Sequence, residues 1–430
     1  MRLCIRITGA VQGVGFRPPV YRLAADAGLT GFVLNSAQGV WIEAQGPAET
    51  VAGFAAELRR CPPAHAVVAS FDTEEIRERE DGRFEVRLSD AGGEPAAFLP
   101  PDLAVCSACL AEIRSAVNRR YRYPFTSCTH CGPRYTIVEG LPYDRPLTSM
   151  RHFPLCALCA AEYRDPGDRR FHAQTNCCPE CGPQLELRAA DGARLAEQDN
   201  ALLAAVQAVR EGKILALKGI GGFHLVCDAR NRAALEELRH RKRRPVKPFA
   251  VMLPEHPEPL LATPQSPIVL VENDTSLPRE VAPGNPLLGV MTPYSPLHAL
   301  LVDEVRGPIV ATSGNLADEP ICIDNSEALE RLHGIADLFL VHDRPILRPV
   351  DDSIVRYIDG QPVLLRRARG YAPLPVESRW DLPEMIATGA HMKNTVAFSR
   401  GRRVFLSQHL GDLSTLPALE SQQRAIEDLT

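Results

Sequence analysis

The sequence of 430 residues lacks several features that would assign a protein to a class at once. No apolar run approaches the roughly 20 residues that a membrane-spanning helix needs. Charged residues interrupt the apolar ones directly after Met1, so the continuous apolar stretch of a secretory signal peptide is missing. The net charge is only −5, with a pI near 6.2. The composition therefore predicts neither a membrane nor a nucleic acid as a partner.

Cysteine, in contrast, is abundant and regularly spaced. Eight of the thirteen cysteines form four Cys-x-x-Cys pairs separated by 18, 24 and 18 residues: Cys106/Cys109, Cys128/Cys131, Cys156/Cys159 and Cys178/Cys181. Two such pairs supply four thiolates, which is the ligand set of a closed structural zinc site. The pattern therefore predicts two structural zinc ions. Because thiolates reserved for metal need a reducing compartment, we expect the protein in the cytoplasm.

The zinc segment is also an internal repeat, because residues 102–133 align with residues 152–183 at a shift of 50. A duplicated unit should carry a whole metal site, so the repeat favours pairing within each copy over an interleaved arrangement. Disulfides or ordinary buried cysteines are the alternative. Cys177 falls outside the register. Because eight thiolates satisfy two ions, we interpret the three nearby histidines as surface or packing residues: His130, His152 and His172.

Residues 1–91 predict a small two-layer domain. Strand and helix patterns follow one another in the order βαββαβ, which is the ferredoxin-like arrangement. A glycine-rich loop, Gly9-Ala-Val-Gln-Gly-Val-Gly-Phe-Arg17, connects the first strand to the first helix. Its backbone amides can converge on an anion at a helix N-terminus. Arg17 at the end of the loop can bind the same anion through two hydrogen bonds.

This loop resembles the acylphosphatase signature, Val-Gln-Gly-Val-Gly-Phe-Arg, and Asn35 stands at the family's second catalytic position. The resemblance implies that Arg17 and the loop hold the phosphate of an acyl phosphate while Asn35 orients the attacking water. Positioning and charge stabilisation suffice for so reactive an anhydride, so no covalent intermediate is required. A glycine-rich turn without a ligand is the alternative. The loop residues concerned are Gln12, Gly13, Val14, Gly15 and Phe16.

A new α/β pattern occupies residues 198–380, after a glycine- and proline-rich linker at 91–101 and the zinc region at 102–190. Seven of the nine residues from 239 to 247 are cationic or histidine. Such a run is often only a solvated basic face. Motifs further along the chain favour the alternative, a surface that binds phosphates.

Those motifs are Lys242-x-Arg244-Pro, Ser313-Gly-Asn315 and the segment around Ser353, and together they resemble the YrdC-like domain. That domain activates a carbamate-type substrate with ATP. The resemblance implies that the lysine and arginine hold nucleotide phosphates and that the Ser-x-Asn pair lines the same pocket. It assigns the nucleotide site to Lys242, Arg244, Ser313, Asn315, Ser353, Lys218, His224 and Arg369. We interpret His298, which lies among prolines, as a packing residue, with a catalytic role as the alternative.

In this order the segments resemble the HypF-type carbamoyltransferases of nickel-iron hydrogenase maturation. The resemblance implies a multidomain α+β protein with four segments: a ferredoxin-like acylphosphatase domain (1–91), tandem Cys4 zinc modules (102–190), an α/β YrdC-like domain (198–380) and the start of an actin- or sugar-kinase-like domain (381–430). It further implies an enzyme that hydrolyses carbamoyl phosphate and adenylates the resulting carbamate with ATP and Mg²⁺. The carbamoyl group then passes to the C-terminal cysteine of the partner protein HypE and later becomes cyanide.

About 50 residues represent the last of these domains, and they lack the histidine cluster that would bind its metal. We therefore expect this chain to hydrolyse carbamoyl phosphate but not to complete the transfer alone. Two other classes stay open on the sequence. One is a YrdC-like carbamoyl-adenylate enzyme of tRNA modification, and the other is a non-catalytic zinc scaffold for protein binding.

Overall fold

The computed structural model describes residues 1–93, 97–273, 276–316 and 319–429. Residues 94–96 of the predicted linker and Thr430 of the predicted last segment thus lie outside the described residues. Within those ranges, each helix is too short or too polar to span a membrane.

The chain forms two compact units, each assembled from two stretches of sequence. The first unit comprises Met1–Pro100 and Ser127–Cys181, and the second comprises Pro101–Thr126 and Gly182–Thr430.

A five-stranded sheet with two helices forms the amino-terminal part of the first unit. The elements are β1 (Arg2–Ala10), α1 (Arg17–Asp26), β2 (Thr30–Ser36), β3 (Gly39–Gln45), α2 (Ala48–Arg60), β4 (Val67–Ile76) and β5 (Phe84–Val86). The strand order is β4-β1-β3-β2-β5. All pairs are antiparallel except β2 and β5, which run parallel. The structure confirms the predicted ferredoxin-like arrangement.

The loop between β1 and α1 is anchored by its apolar side chains. Val11 and Phe16 are buried in the core between the sheet and the helices, so the intervening backbone is fixed at both ends. Helix α1 carries prolines in its first turn, where no amide has to be bonded, and Gly28 follows it with φ +64°. These local choices place Arg17 at the first residue of α1.

The zinc segment contains little regular structure. Two short helices, α3 (Ser107–Arg114) and α4 (Ala157–Arg164), each begin directly after the first cysteine of a Cys-x-x-Cys pair. They are related by the shift of 50 residues that relates the two copies of the repeat. Two 3₁₀ turns lie between the copies, at Arg145–Leu147 and Ser149–His152. So little secondary structure is typical of a segment in which bound metal contributes to folding.

An eleven-stranded sheet organises the second unit, in the order β16-β15-β11-β12-β10-β13-β9-β8-β14-β6-β7. Its elements are β6 (Leu185–Ala189), β7 (Arg194–Glu197), α5 (Gln198–Arg210), β8 (Leu215–Lys218), β9 (Phe223–Asp228), α6 (Arg232–Arg241), β10 (Ala250–Met252), β11 (Ile268–Glu272), β12 (Leu287–Met291), α7 (Pro296–Val305), β13 (Ile309–Ser313), α8 (Asn325–Arg331), β14 (Leu338–His342), β15 (Ile354–Ile358) and β16 (Gln361–Arg366). Two 3₁₀ turns lie at Pro259–Ala262 and Arg279–Val281.

The last part of the second unit is a hairpin followed by a helix. Strands β17 (Pro375–Ala387) and β18 (Ala397–Leu406) pair antiparallel, and α9 (Leu416–Leu429) follows. The chain between β18 and α9 lies beside the residues after β16, because the His409 amide donates to the Arg367 carbonyl at 2.8 Å.

Candidate functional site

A pocket of about 340 Å³, partly open to solvent, lies at the β1–α1 loop of the first unit. It brings together the residues that the acylphosphatase resemblance singles out. Gln12, Gly13, Gly15, Phe16, Arg17 and Asn35 all line it, whereas Val14 is buried nearby.

Two positions of the loop backbone strongly favour glycine. Gly13 has φ +68° and Gly15 has φ +74°, a conformation that residues with a Cβ atom rarely adopt. A Cβ atom on Gly13 would also lie 3.1 Å from the ring of Tyr143, and one on Gly15 would lie 3.1 Å from Thr129. The sequence motif therefore encodes a curled backbone whose amides are available to an anion.

Gln12 holds this loop in place through its side chain. Its amide nitrogen donates to the carbonyl oxygens of Ser36 at 2.6 Å and of Gly39 at 2.8 Å, in the β2–β3 turn. Its amide oxygen accepts from the backbone amide of Tyr143 at 2.7 Å. Since these bonds engage both ends of the amide, the side chain of Gln12 positions the loop.

Arg17 and Asn35 present polar groups to the pocket. Arg17 is buried and its Nη2 donates to a carboxylate oxygen of Asp144 at 3.0 Å. Its Nε and Nη1 make no hydrogen bond within the described residues, so part of the guanidinium remains available to a ligand. Asn35 lies at the end of β2, and its buried side-chain amide likewise bonds to none of the described residues.

The second wall of the pocket comes from the zinc segment, which no motif in the sequence had indicated. Six residues of that segment line the pocket: Thr129, Arg134, Tyr143, His172, Ala173 and Gln174. Arg134 donates from Nε to the Gly13 carbonyl at 2.5 Å and from Nη2 to the Cys128 carbonyl at 3.0 Å, so it joins the loop to the zinc segment. We interpreted His172 from the sequence as a surface or packing residue. Its ring does pack against neighbouring rings, but the residue also lines the pocket.

The cysteines gather in the two groups that the repeat predicts, Cys106/Cys109/Cys128/Cys131 and Cys156/Cys159/Cys178/Cys181. In each group the four sulfurs lie within 4.8 Å of one another. Within the second group, the sulfurs of Cys156 and Cys178 are 3.7 Å apart and those of Cys178 and Cys181 are 3.8 Å apart. Tetrahedral zinc with Zn–S bonds of about 2.3 Å has edges of about 3.8 Å, whereas a disulfide is about 2.05 Å long. The two groups fit two zinc ions, and Cys177 lies outside both.

A second pocket, of about 750 Å³ and also partly open, lies in the second unit where β13 ends. Ser313 and Asn315 line it, and the Ser313 hydroxyl donates to the Asn315 side-chain oxygen at 2.8 Å. Lys242 lies behind them and donates from Nζ to the Ser313 carbonyl at 2.7 Å, to the Asn315 carbonyl at 2.7 Å and to the Asn315 side-chain oxygen at 2.9 Å. The three donors of the ammonium group thus fix the Ser-x-Asn turn.

Burial lowers the pKa of Lys242 to about 7, and the neighbouring charge of Arg244 adds to this effect. Arg244 itself donates from Nη1 to the hydroxyl of Thr312 at 3.1 Å, and burial lowers its pKa to about 10. The structure therefore brings four of the eight predicted nucleotide residues together at this pocket: Lys242, Arg244, Ser313 and Asn315.

Other cations line this pocket, and the YrdC-like resemblance had not assigned them to the nucleotide site. Lys247, Arg366 and Lys393 are among its lining residues, together with His409. Burial lowers the pKa of Lys247, and the charges of Arg244, Arg366 and Lys393 lower it further. The ammonium groups of Lys247 and Lys393 have no hydrogen-bond partner among the described residues. Three carboxylates also line the pocket, Glu319, Asp351 and Asp412, and Arg366 pairs with Asp351 at 2.6 Å. Lys247 and Lys393 are therefore the lining cations whose charge is available to an anion.

Three more predicted residues form a buried network away from this pocket lining. Asp352 accepts from Arg369 Nε at 2.7 Å and is 3.1 Å from Nε2 of His224. Burial alone would raise the pKa of Asp352, but the charge of Arg369 holds it well below its ordinary value. Ser353 donates to the Arg369 carbonyl at 2.9 Å. The contacts of this network join the start of β15 to the chain after β16.

His298 and Lys218 are buried as well. His298 is completely buried, with its ring 4.7 Å from Tyr294 and its Nδ1 2.8 Å from the Ser295 hydroxyl. Lys218 donates to the Asn325 side-chain oxygen at 2.8 Å, and burial together with Arg344 lowers its pKa to about 8.

Four family models match the chain segment by segment. The acylphosphatase model matches residues 3–86, the HypF finger model matches 105–138 and 155–188, the Sua5, YciO and YrdC model described as telomere recombination matches 207–368, and the HypF Kae1-like domain model matches 381–430. Carbamoyltransferase HypF of Synechocystis sp. is 50% identical over 443 aligned residues, which cover 100% of this chain.

The chain belongs to the HypF family. It spans 58% of the length of the Synechocystis HypF, and 57% of the HypF of Rhizobium leguminosarum bv. viciae, to which it is 46% identical over its whole length. Among solved structures, full-length HypF in its phosphate- and nucleotide-bound form is 41% identical, with a TM-score of 0.94 over 99% of this chain and 58% of that one. HypF from T. kodakarensis is 38% identical, with a TM-score of 0.92 over 99% of this chain and 56% of that one.

Proposed function

We propose that the chain hydrolyses carbamoyl phosphate to carbamate and phosphate, and that it then adenylates the carbamate with ATP. The observation that carries this proposal is the presence of two different anion pockets in one HypF-family chain. One is a curled loop with Arg17 and Asn35. The other is a Ser-x-Asn turn in a pocket that Lys247 and Lys393 also line.

In the first step the loop amides and Arg17 bind the phosphoryl group, and Asn35 orients a water molecule for attack. The water oxygen forms a bond to phosphorus while the bond between phosphorus and the carbamoyl oxygen breaks. The products are phosphate and carbamate. Gln12 and Arg134 keep the loop curled, so the amides need no rearrangement when the substrate binds. The Nε and Nη1 of Arg17, which bond to none of the described residues, supply charge-assisted hydrogen bonds to the phosphoryl oxygens.

In the second step a carboxylate oxygen of carbamate attacks the α-phosphorus of ATP, and pyrophosphate leaves. Ser313 and Asn315 bind the nucleotide on the turn that Lys242 fixes. Lys247, Arg366 and Lys393 offset the charge of the phosphates, together with the Mg²⁺ that accompanies ATP as substrate. The HypF structure that holds phosphate and nucleotide supports this assignment, because the folds correspond over nearly the whole chain.

The activated carbamoyl group is destined for the C-terminal cysteine of the partner protein HypE, as the family resemblance implies. The match of residues 381–430 to the HypF Kae1-like domain model supports a role of this chain in the transfer. Eight cysteines arranged as metal ligands also support a reducing compartment, the cytoplasm.

Hydrolysis of carbamoyl phosphate by the purified chain tests the first step. We expect phosphate release by the wild type and its loss, by a factor of about 10³ or more, in Arg17→Ala. Arg22→Ala is the matched control, because Arg22 lies on the same helix but is exposed and outside the pocket. Zinc content should equal that of the wild type in both variants. Absence of hydrolysis by the wild type would contradict the proposal and favour a zinc scaffold.

A further inference from the structure

His172 lines the first pocket together with residues of the β1–α1 loop, and its backbone and ring are held by neighbouring residues. Its amide donates to the Tyr163 carbonyl at 3.0 Å, and its carbonyl accepts from the Gln174 side chain at 2.9 Å. The ring packs against Phe171, with centroids 4.5 Å apart, and against Tyr163, with centroids 5.0 Å apart. The hydrogen bonds fix the backbone of His172, and the two ring contacts fix its side chain. The imidazole therefore loses little conformational freedom when a ligand binds to it.

The internal repeat shows which part of this arrangement belongs to the zinc module and which belongs to the pocket. Arg122 is the equivalent of His172 in the first copy, with φ 57° against 55°. Its amide donates to the Ile113 carbonyl at 2.8 Å, and Ile113 is the equivalent of Tyr163. The left-handed backbone is therefore a property of the module. What distinguishes the second copy is an imidazole where the first has a guanidinium, bonded there to Asp199.

The ring nitrogens of this imidazole make no hydrogen bond to any of the described residues. Burial and the nearby charge of Arg17 lower the pKa of His172 to about 3, so the ring is neutral near pH 7 and offers one donor and one acceptor. Its Nδ1 is buried without a hydrogen-bond partner in the part of the chain that the structure describes. Buried polar atoms are normally paired, so one that lines a ligand pocket is a candidate to bond the ligand.

The expected substrate supplies a matching group. With its phosphate on the loop and Arg17, the acyl end must lie towards the remaining wall, which contains His172. Carbamoyl phosphate carries an amino group at that end, where acetyl phosphate carries a methyl group that can donate no hydrogen bond. We propose that His172 accepts a hydrogen bond from the carbamoyl amino group and thereby selects carbamoyl phosphate over acyl phosphates with hydrocarbon acyl groups. This inference rests on the function proposed above, since it takes the loop as the phosphate site.

The test compares kcat/KM for carbamoyl phosphate and for acetyl phosphate in two variants. His172→Phe keeps the ring packing and removes the acceptor. We expect it to lower the ratio of the two kcat/KM values roughly tenfold to a hundredfold, the range that one buried hydrogen bond supplies. His172→Asn places an oxygen near the position of Nδ1 and tolerates the left-handed backbone, so it should retain most of the preference.

Controls separate this inference from a structural role and from the proposed function. His152→Phe changes an exposed histidine of the zinc segment that does not line the pocket, and it should leave both rates unchanged. Equal losses for both substrates in His172→Phe, or no change in the ratio, would overturn the role of His172 while leaving hydrolysis itself established. If the wild type hydrolyses neither substrate, the proposed function fails and this inference fails with it.

Discussion

At the scale of single residues, the structure separates groups that shape the first pocket from groups that face a ligand. The side chain of Gln12 forms hydrogen bonds to three backbone groups. The side-chain amide of Asn35, in contrast, bonds to none of the described residues. Both are buried and both belong to the sequence motif. The two side chains should therefore respond differently to removal.

We predict that Asn35→Ala lowers kcat for carbamoyl phosphate roughly a hundredfold, because it removes the group that orients water. The melting temperature should stay close to that of the wild type, since no hydrogen bond within the described residues is lost. Steady-state kinetics and a thermal melt check both statements. A large loss of stability with kcat intact would show that Asn35 serves the fold instead.

Lys242 provides a second prediction at this scale, through its pKa of about 7. The ammonium group is charged below that pH and neutral above it. We expect kcat/KM for ATP, measured by pyrophosphate release with carbamate, to fall as the pH rises through about 7, because this parameter reports groups of the free enzyme. Lys242→Met should be slower and should lack this inflection. An inflection that persists in the variant would assign it to another group.

The sequence identified the residues of the first pocket that lie within one motif, and it missed those that other segments contribute. The glycine spacing and Arg17 are local features, so they could be recognised from the sequence alone. Asp144 lies 127 residues after Arg17, and His172 is still further away. No spacing rule connects such positions, because only the tertiary fold brings them together.

At the scale of elements, the segment around residues 388–413 was predicted to belong to the start of the last domain but not to a site. The side chain of Asn394 donates to the carbonyls of Thr388 and Ala390. Its backbone amide donates to the Gly411 carbonyl at 2.7 Å. This turn presents Lys393 to the second pocket. Strand and helix periodicity predicts an element, whereas a lysine in a turn carries no periodic signal.

We predict that Lys393→Ala raises KM for ATP roughly tenfold, because it removes one charge-assisted contact to the phosphates. Lys213→Ala is the matched control, since Lys213 is exposed in the same unit and does not line the pocket. ATP-dependent pyrophosphate release measures both. Equal KM values for the two variants would exclude Lys393 from the nucleotide site.

At the scale of the whole molecule, the second group of four cysteines and the first pocket belong to the same unit. The cluster Cys156/Cys159/Cys178/Cys181 closes the module that carries His172 and Gln174, and these two residues line the first pocket. The fold class, the zinc pairing and the order of the segments could be predicted from the sequence, because motif spacing and the repeat encode them. The contribution of the zinc module to the pocket could not.

We predict that Cys178→Ser lowers the zinc content from two ions per chain to one and reduces carbamoyl phosphate hydrolysis at least tenfold, because the pocket wall loses its metal anchor. Cys61→Ser is the control, since Cys61 is exposed and outside both clusters. Metal analysis and phosphate release give the two readouts. Full activity with one zinc ion would show that the first pocket does not depend on this metal site.

The central claim is that carbamate made at the β1–α1 loop is the substrate adenylated at the second pocket. Pyrophosphate release by Arg17→Ala, supplied with ATP and either carbamoyl phosphate or ammonium carbamate, tests it most directly. The account predicts no release above background from carbamoyl phosphate and release at the wild-type rate from carbamate. Undiminished release from carbamoyl phosphate, or no release from carbamate, would contradict it.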